Sequence, residues 1–336
     1  MAGKRQKQAA LAALKRAIEP MSLSTLAASQ RIPDRTLRRW LADWVAQGTI
    51  KRVGVGRATR YRYSSANISS FAFLADLDHD LKHALLKQLR DLWTHNSTAL
   101  EGNTLSLGDT HFVLEEGLTI SGKPLKDHQE IIGHARAIEL LYAAVNEPVS
   151  ETFLFELHKA IQTEQHNDIY KPIGDWKIET NGTYALTEEG TQTFIEYALP
   201  AHVPTLMSQL IDEINLINRK TLTHKNAYQY YAKIHMAIVH IHPFWDGNGR
   251  IARLIANLPI LKAGLPPLVI PQTQRREYIQ ALARYQIEIG QLTPRTKIWP
   301  DIKQLDKFER FCESNYSATK ELVENAFIVQ ANRKGK

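Results

Sequence analysis

The sequence predicts a mainly helical fold with two small β-hairpins, and three observations carry that prediction. Apolar residues recur at three- and four-residue steps through most of the 336 residues, the period of a helix with one buried face. Two stretches, residues 50–63 and 174–184, switch to alternation around glycines, the period of a hairpin. Between two apolar helical runs lies His242-Pro243-Phe244-Trp245-Asp246-Gly247-Asn248-Gly249-Arg250, with Arg253 at the next turn. A plain connection between helices has no need of that density of base, carboxylate, amide and guanidinium.

The bulk properties narrow the function classes. The length allows two or three domains with real cores. No apolar run approaches the ~20 residues of a membrane span, so no membrane partner is expected. The basic start, Lys4-Arg5-Gln6-Lys7, is not followed by an apolar core and a small-residue cleavage site, so a secretory signal is not expected either. The single cysteine, Cys312, excludes an intramolecular disulfide and a cysteine zinc site, and a cytoplasmic location is the expectation that fits. The net charge of +7 is unevenly placed. Residues 1–62 hold fourteen Lys and Arg against three acids, more than the whole excess, which suggests a polyanionic partner for that unit.

Taken in order, residues 9–18 read as a helix through Leu11, Leu14 and Ile18, and Pro20 ends it. Ser22 or Ser24 can cap a second helix reaching Ala28. After a turn at residues 30–33, Asp34 sits at an expected N-cap. Leu37, Leu41, Trp44 and Val45 make the stripe of a third helix ending near Gly48, and Arg35, Arg38 and Arg39 mark its other face. Residues 50–63 then form the first hairpin, with a glycine tip. Three helices and a hairpin over residues 1–63 resemble a winged helix-turn-helix domain. The resemblance implies DNA binding, with Arg35, Arg38 and Arg39 at bases or phosphates and Lys51, Arg52, Arg57 and Arg60 along the wing. The other reading of the same surface is protein contact or dimerisation, which would make a homodimer.

Residues 64–70 are small and polar, a domain boundary. Leu81, Leu85, Leu86, Leu89 and Leu92 give residues 71–93 a helical period. Glu101, before Gly102, reads as a surface glutamate near a helix C-terminus. That is the wrong end for the helix dipole, so a cation would be needed if it were buried. Helices follow at 109–118, 127–145 and 152–162. Their histidines, His128, His134 and His158, read as packing or surface residues rather than ligands. In residues 174–184, Trp176, Ile178 and Thr180 alternate and Asn181-Gly182 is the expected two-residue turn. That hairpin is either a loop decoration or an edge that captures a peptide by strand addition.

Residues 225–241 form an apolar-periodic helix that runs into His242, and Pro243 stops it. Phe244 is the anchor into the core. Gly247-Asn248-Gly249 can turn backbone N–H groups outward into an anion nest at the start of a helix over 250–261, a ready phosphate site. Asp246 can hold a magnesium ion together with phosphate oxygens. His242 can take a proton from a hydroxyl. A transition-metal cluster of His235, His240, His242 and Asp246 is the competing reading, but His240 and His242 lie two apart and point to different sides of a helix.

Every fixed position of HPFx(D/E)GNGRxxR is present, and from roughly residue 92 to 290 the chain resembles the Fic (filamentation induced by cAMP) family. The resemblance implies an all-helical core with a β-hairpin flap, here residues 174–184. It implies transfer of AMP from ATP to a Tyr, Thr or Ser hydroxyl of a target protein, which can be the chain itself. His242 would be the general base and Asp246 the Mg2+ ligand. Gly247, Asn248 and Gly249 would cradle phosphates, and Arg250 would hold the β/γ end. Tyr278, on a helix over 275–289, would lie beside adenine or simply pack. Ser97 to Gly102 fits the family's inhibitory (S/T)xxxE(G/N) motif, so Glu101 would pair with Arg253 and keep the γ-phosphate from its productive pose. In some members this glutamate also supports AMP removal. Alternatives within the resemblance are another phosphate-containing donor, or a nucleotide-sensing, DNA-binding transcription regulator with a weakly active Fic domain. The expected domains are 1–63, 64–110 (linker and inhibitory helix), 111–295 (Fic) and 296–336, the last with one or two helices over 302–329 and a frayed end at 333–336.

Overall fold

The computed structural model describes every residue except 1, 18–19, 47–49, 55, 57–58, 64–70, 163–167, 188–189, 300–302 and 335–336. The chain divides into two compact units, residues 1–70 with 142–144, and residues 71–141 with 145–336.

In the first unit, α1 (Ala2–Arg16), α2 (Leu23–Gln30) and α3 (Asp34–Ala46) precede an antiparallel hairpin of β1 (Ile50–Val53) and β2 (Arg60–Tyr63). Leu14, Leu26, Leu37, Leu41, Trp44 and Ile50 close its core. Ser22 caps α2 by accepting from the Thr25 N–H at 3.0 Å. Asp34 is not the cap expected of it. The Thr36 and Leu37 N–H groups both donate to the Pro33 carbonyl at 3.0 Å, so Asp34 is already the first helical residue. Arg35, Arg38 and Arg39 are exposed on α3. Arg57, Gly48 and the boundary at 64–70 lie outside the described residues, as does the side chain of Lys51.

The second unit is helical apart from one hairpin. It contains α4 (His79–Ala99), α5 (Leu107–Glu116), α6 (Leu125–Ala144) up to residue 141, α7 (Glu151–Ile161), β3 (Gly182–Leu186), β4 (Gln192–Glu196), α8 (Val203–Asn218), α9 (His224–Ile241), α10 (Asn248–Ile255), α11 (Asn257–Lys262), α12 (Arg275–Ile289), α13 (Lys303–Ser314) and α14 (Ala318–Lys334). The centre is α9, buried from Tyr231 to Ile241 on nearly every side because α8, α10, α11, α12 and α13 all pack on it. A reciprocal cap starts it. Asn226 N–H donates to Thr223 Oγ1 at 3.3 Å, and Thr223 N–H donates to Asn226 Oδ1 at 2.7 Å.

Several elements differ from expectation, each for a local reason. The run at 71–93 splits into a short 3-10 turn at Ala72–Leu74 and α4, which continues to Ala99. The helix expected over 250–261 is two, since Pro259 has no N–H for the Ile255 carbonyl. Arg333 and Lys334 are not frayed but helical, and Arg333 meets Asp80 at 2.6 Å. The largest difference is the second hairpin. It spans β3 and β4, and Asn181-Gly182 is not its turn but the entry to β3. The strands are joined beyond Leu186, where the Thr187 N–H donates to the Thr191 carbonyl at 2.9 Å and Gly190 has φ +80°. Residues 174–181 are pinned to the 242–250 loop instead, and their alternation reflects that packing. Gly182 is required by close approach: a methyl there would collide with Phe194 and the Ile195 carbonyl. Among the described residues no helix is long and apolar enough to cross a membrane.

Candidate active site

The loop between α9 and α10 is built around Phe244, which is fully buried. Its ring lies against the His158 imidazole at 4.0 Å between centroids and against Trp176 at 5.1 Å. Asn248 ties the loop to itself. Its Nδ2 donates to the Phe244 carbonyl and its Oδ1 accepts from the Phe244 N–H, both at 2.9 Å. The Asn248 side chain is therefore engaged in shaping the loop, and only its backbone N–H faces an incoming anion. Gly247 adopts φ +80°, the left-handed conformation that ends the loop and starts α10 with no side-chain cap. The first N–H groups of α10 thus converge without an intrahelical acceptor, the ready-made anion site of a helix N-terminus.

His158 fixes this loop from α7. Its Nδ1 accepts from the Gly174 N–H at 2.8 Å, so the proton sits on Nε2, which donates to the Asp246 carbonyl at 3.1 Å. Burial pushes its pKa down to about 4, which keeps that tautomer neutral.

His242 is the C-cap of α9 at φ +53°, an uncommon conformation for a side chain with a Cβ. Its N–H closes the helix on the Ile238 carbonyl at 2.9 Å. Nδ1 donates to the Val239 carbonyl at 3.2 Å, which leaves Nε2 as the basic nitrogen. The Tyr197 ring lies flat on the imidazole, 3.7 Å between centroids and 1° between planes. Burial, with a smaller contribution from the Lys177 ammonium, pushes the His242 pKa down to about 3. The histidine is a free base at any neutral pH.

The two arginines of the motif are buried, with side chains 5% and 2% exposed. Arg250 Nη2 donates to Asp246 Oδ2 at 2.9 Å and Nη1 to the Ile161 carbonyl at 3.3 Å, with Glu130 at 3.9 Å. Arg253 collects four bonds: Nε to Ser97 Oγ at 3.0 Å, Nη2 to the Ser97 carbonyl at 2.8 Å, Nη2 to Glu101 Oε1 at 2.6 Å, and Nη1 to the Tyr278 hydroxyl at 3.1 Å. Burial alone would weaken its charge, but Tyr278 and Glu101 raise its pKa further. The compensating cation that a glutamate after α4 requires is therefore Arg253. Glu101 also sits directly over the glycine loop, because a methyl on Gly249 would collide with Glu101 Oε1.

Tyr278 is buried, and its hydroxyl, having accepted from Arg253, donates to His235 Nε2 at 3.0 Å. Burial keeps His235 neutral as that acceptor. Tyr278 also lines the cleft of about 240 Å³ that Glu101, Tyr197, His242, Gly249 and the β3–β4 hairpin border. The transition-metal reading finds no support. His235 is engaged by Tyr278, His240 Nε2 donates to the Gly290 carbonyl at 2.8 Å, and among the described residues no three His, Cys, Asp or Glu cluster as metal ligands. Asp246 is a different case. Its side chain is 64% exposed. Partial desolvation opposes it, but the Arg250 guanidinium holds its pKa below the usual carboxylate value. Arg250 takes Oδ2, and a carboxylate of this kind fits Mg2+ whose other ligands are phosphates and water.

Sequence reasoning missed four residues that shape this site: His158, Lys177, Asn181 and Tyr197. Each is held through a partner at least sixteen residues away or through stacking, so no local pattern marks it.

Residues 148–260 match the Fic/DOC family. A protein named protein adenylyltransferase fic-1 from Caenorhabditis elegans is 31% identical over 230 residues, covering 66% of this chain and 42% of that protein. The fic-1 protein of Caenorhabditis briggsae is 30% identical over 231 residues, covering 65% and 42%. The chain thus spans less than half the length of these curated relatives. A solved Fic domain containing signaling protein from Bacteroides thetaiotaomicron superposes with a TM-score of 0.65 at 28% identity, over 78% of this chain and 96% of that one. Residues 148–260, the stretch that matches the Fic/DOC family, hold His242, the glycine loop and both buried arginines.

Proposed function

We propose that the chain is a protein adenylyltransferase, transferring AMP from ATP to a Ser, Thr or Tyr hydroxyl of a target protein. The observation that carries this reading is the pairing of a neutral His242, its Nε2 left basic, with an uncapped helix N-terminus in one cleft under a hairpin. Relatives named adenylyltransferases agree with it. Nε2 takes the proton of the target hydroxyl. That oxygen bonds to the α-phosphorus, the bond to the bridging oxygen breaks, and pyrophosphate leaves. The N–H groups at the start of α10 hold phosphate oxygens through the charge build-up. Mg2+, held by Asp246, would neutralise phosphate charge. The β3–β4 edge supplies backbone groups to align an extended target segment.

We further read Glu101 as inhibitory, since it occupies Arg253 and the space over Gly249. The test uses labelled ATP and cell lysate. Glu101→Gly is expected to raise labelling well above wild type, and adding His242→Ala to abolish it. If Glu101→Gly labels no more than the double variant, the catalytic reading is wrong.

For the first unit the reading is a winged helix that binds DNA. Arg38, Arg52 and Arg60 line one open cleft with the start of α2, a concave basic surface suited to a phosphate backbone. A mobility shift that weakens with salt and is lost in Arg38→Ala plus Arg39→Ala is expected; no shift at any salt rejects it.

A further inference from the structure

Beneath the stacked pair of Tyr197 and His242 lies a lysine that the chemistry above does not use. Lys177 is 2% exposed, and its Nζ donates to Asn181 Oδ1 at 2.5 Å. The ammonium lies 5.8 Å from the centroid of the Tyr197 ring, within cation–π range, and the same ring stacks on the His242 imidazole. Tyr197 thus links the ammonium and the imidazole in one cluster.

Its two ends are anchored to the same loop. The Lys177 N–H donates to the Pro243 carbonyl at 2.9 Å, next to His242. Asn181 accepts the ammonium, accepts the Tyr197 N–H on its backbone carbonyl at 3.2 Å, and donates from Nδ2 to the Phe244 carbonyl at 3.2 Å. A buried ammonium with so few acceptors is costly to maintain. Burial brings its pKa down to about 7, and Glu196 is the acid that opposes the shift. The charged groups acting on His242 itself are Lys177, which disfavours its protonation, and Asp246, which favours it.

We propose that Lys177 is a positioning residue for His242, its ammonium holding the Tyr197 ring flat against the imidazole so that Nε2 faces the cleft. The role rests on His242 acting as the base, but the stack itself can be read without any turnover. A histidine proton under an aromatic face is shielded, and a ring that slides away loses that shielding.

The experiment labels the histidines of the full chain with carbon-13 and assigns His242 by comparison with His242→Ala. Lys177→Met is expected to move the His242 ring signal downfield, and Lys177→Arg, which keeps a cation at the ring face, to restore it. In the Glu101→Gly background, Lys177→Met lowers kcat about tenfold or more, as a misplaced group does, with the KM for ATP changed less than about twofold. Wild type also loses rate above about pH 7 as the lysine discharges, and Lys177→Arg extends activity to higher pH. If Lys177→Met unfolds the chain, Asn181→Ala, which releases the ammonium but keeps it, is expected to give the same downfield movement. A His242 signal unmoved in whichever variant folds overturns the proposal, whether or not AMP transfer is detected. Absent transfer with the signal moved rejects the adenylyltransferase reading alone.

Discussion

Arginine is used in opposite ways in the two units. Arg38 and Arg39 stand exposed on α3, while Arg250 and Arg253 are buried and held at fixed distances by acids and carbonyls. In the sequence the two pairs look alike: basic residues near the start of an amphipathic helix. The difference lies in what the rest of the chain brings to them. Arg253 meets Glu101 across 152 residues, and nothing local announces that. Exposed arginines are free to serve a partner at little cost to the fold, whereas buried ones make the fold and the site inseparable.

The contrast can be broken in four ways, ordered by the effect per group, the largest first. Arg253→Met should cost about 3 kcal/mol in urea unfolding, because it strands Ser97, Tyr278 and Glu101 together. A variant as stable as wild type would mean that the buried network contributes nothing net.

Acidification should separate the units next. His158, His240 and His242 have folded pKa values of about 4, 4 and 3, all depressed by burial. Below the unfolded value of about 6.5 the unfolded chain binds protons that the folded one refuses, so stability falls as pH drops from there towards about 4. From pH 7 to 5 each of these three histidines should cost the second unit about 2 kcal/mol, read by hydrogen exchange. The first unit, whose residues 1–70 contain no histidine, should hold. Equal losses in both would remove the histidine explanation.

Glu101→Gln comes third. The carboxylate is 41% exposed, so solvent screening limits the loss to about 1 kcal/mol, measured by the same unfolding. Smallest is Arg38→Ala plus Arg39→Ala, expected to change stability by no more than about 0.5 kcal/mol while removing any DNA shift.

The helices were legible in the sequence where one face is buried and the other wet. The helix over 275–289 has the bounds read from its period, and α6, α7 and α9 fall within two residues. Length of period was not enough where a proline intervenes, as in the break between α10 and α11. The second hairpin was misplaced because Asn-Gly is a strong turn pair only when no tertiary demand competes. Here Asn181 is drawn to Phe244, Lys177 and Tyr197, and the turn falls to Gly190. The motif loop was readable from residue types alone as a glycine turn opening a helix N-terminus. The groups that orient it, His158 and Tyr197, were not, since stacking and tautomer choice depend on distant neighbours rather than on spacing.

The Arg253 cage has a consequence for ligand affinity. Remove the Glu101 carboxylate and a buried guanidinium remains, short of an anion in a place that water barely reaches. A nucleotide phosphate arriving there would replace one counter-charge by another. Displacement of the glutamate and uptake of the nucleotide would then be a single exchange equilibrium, and whatever loosens the segment after α4 would tighten nucleotide binding by the same factor.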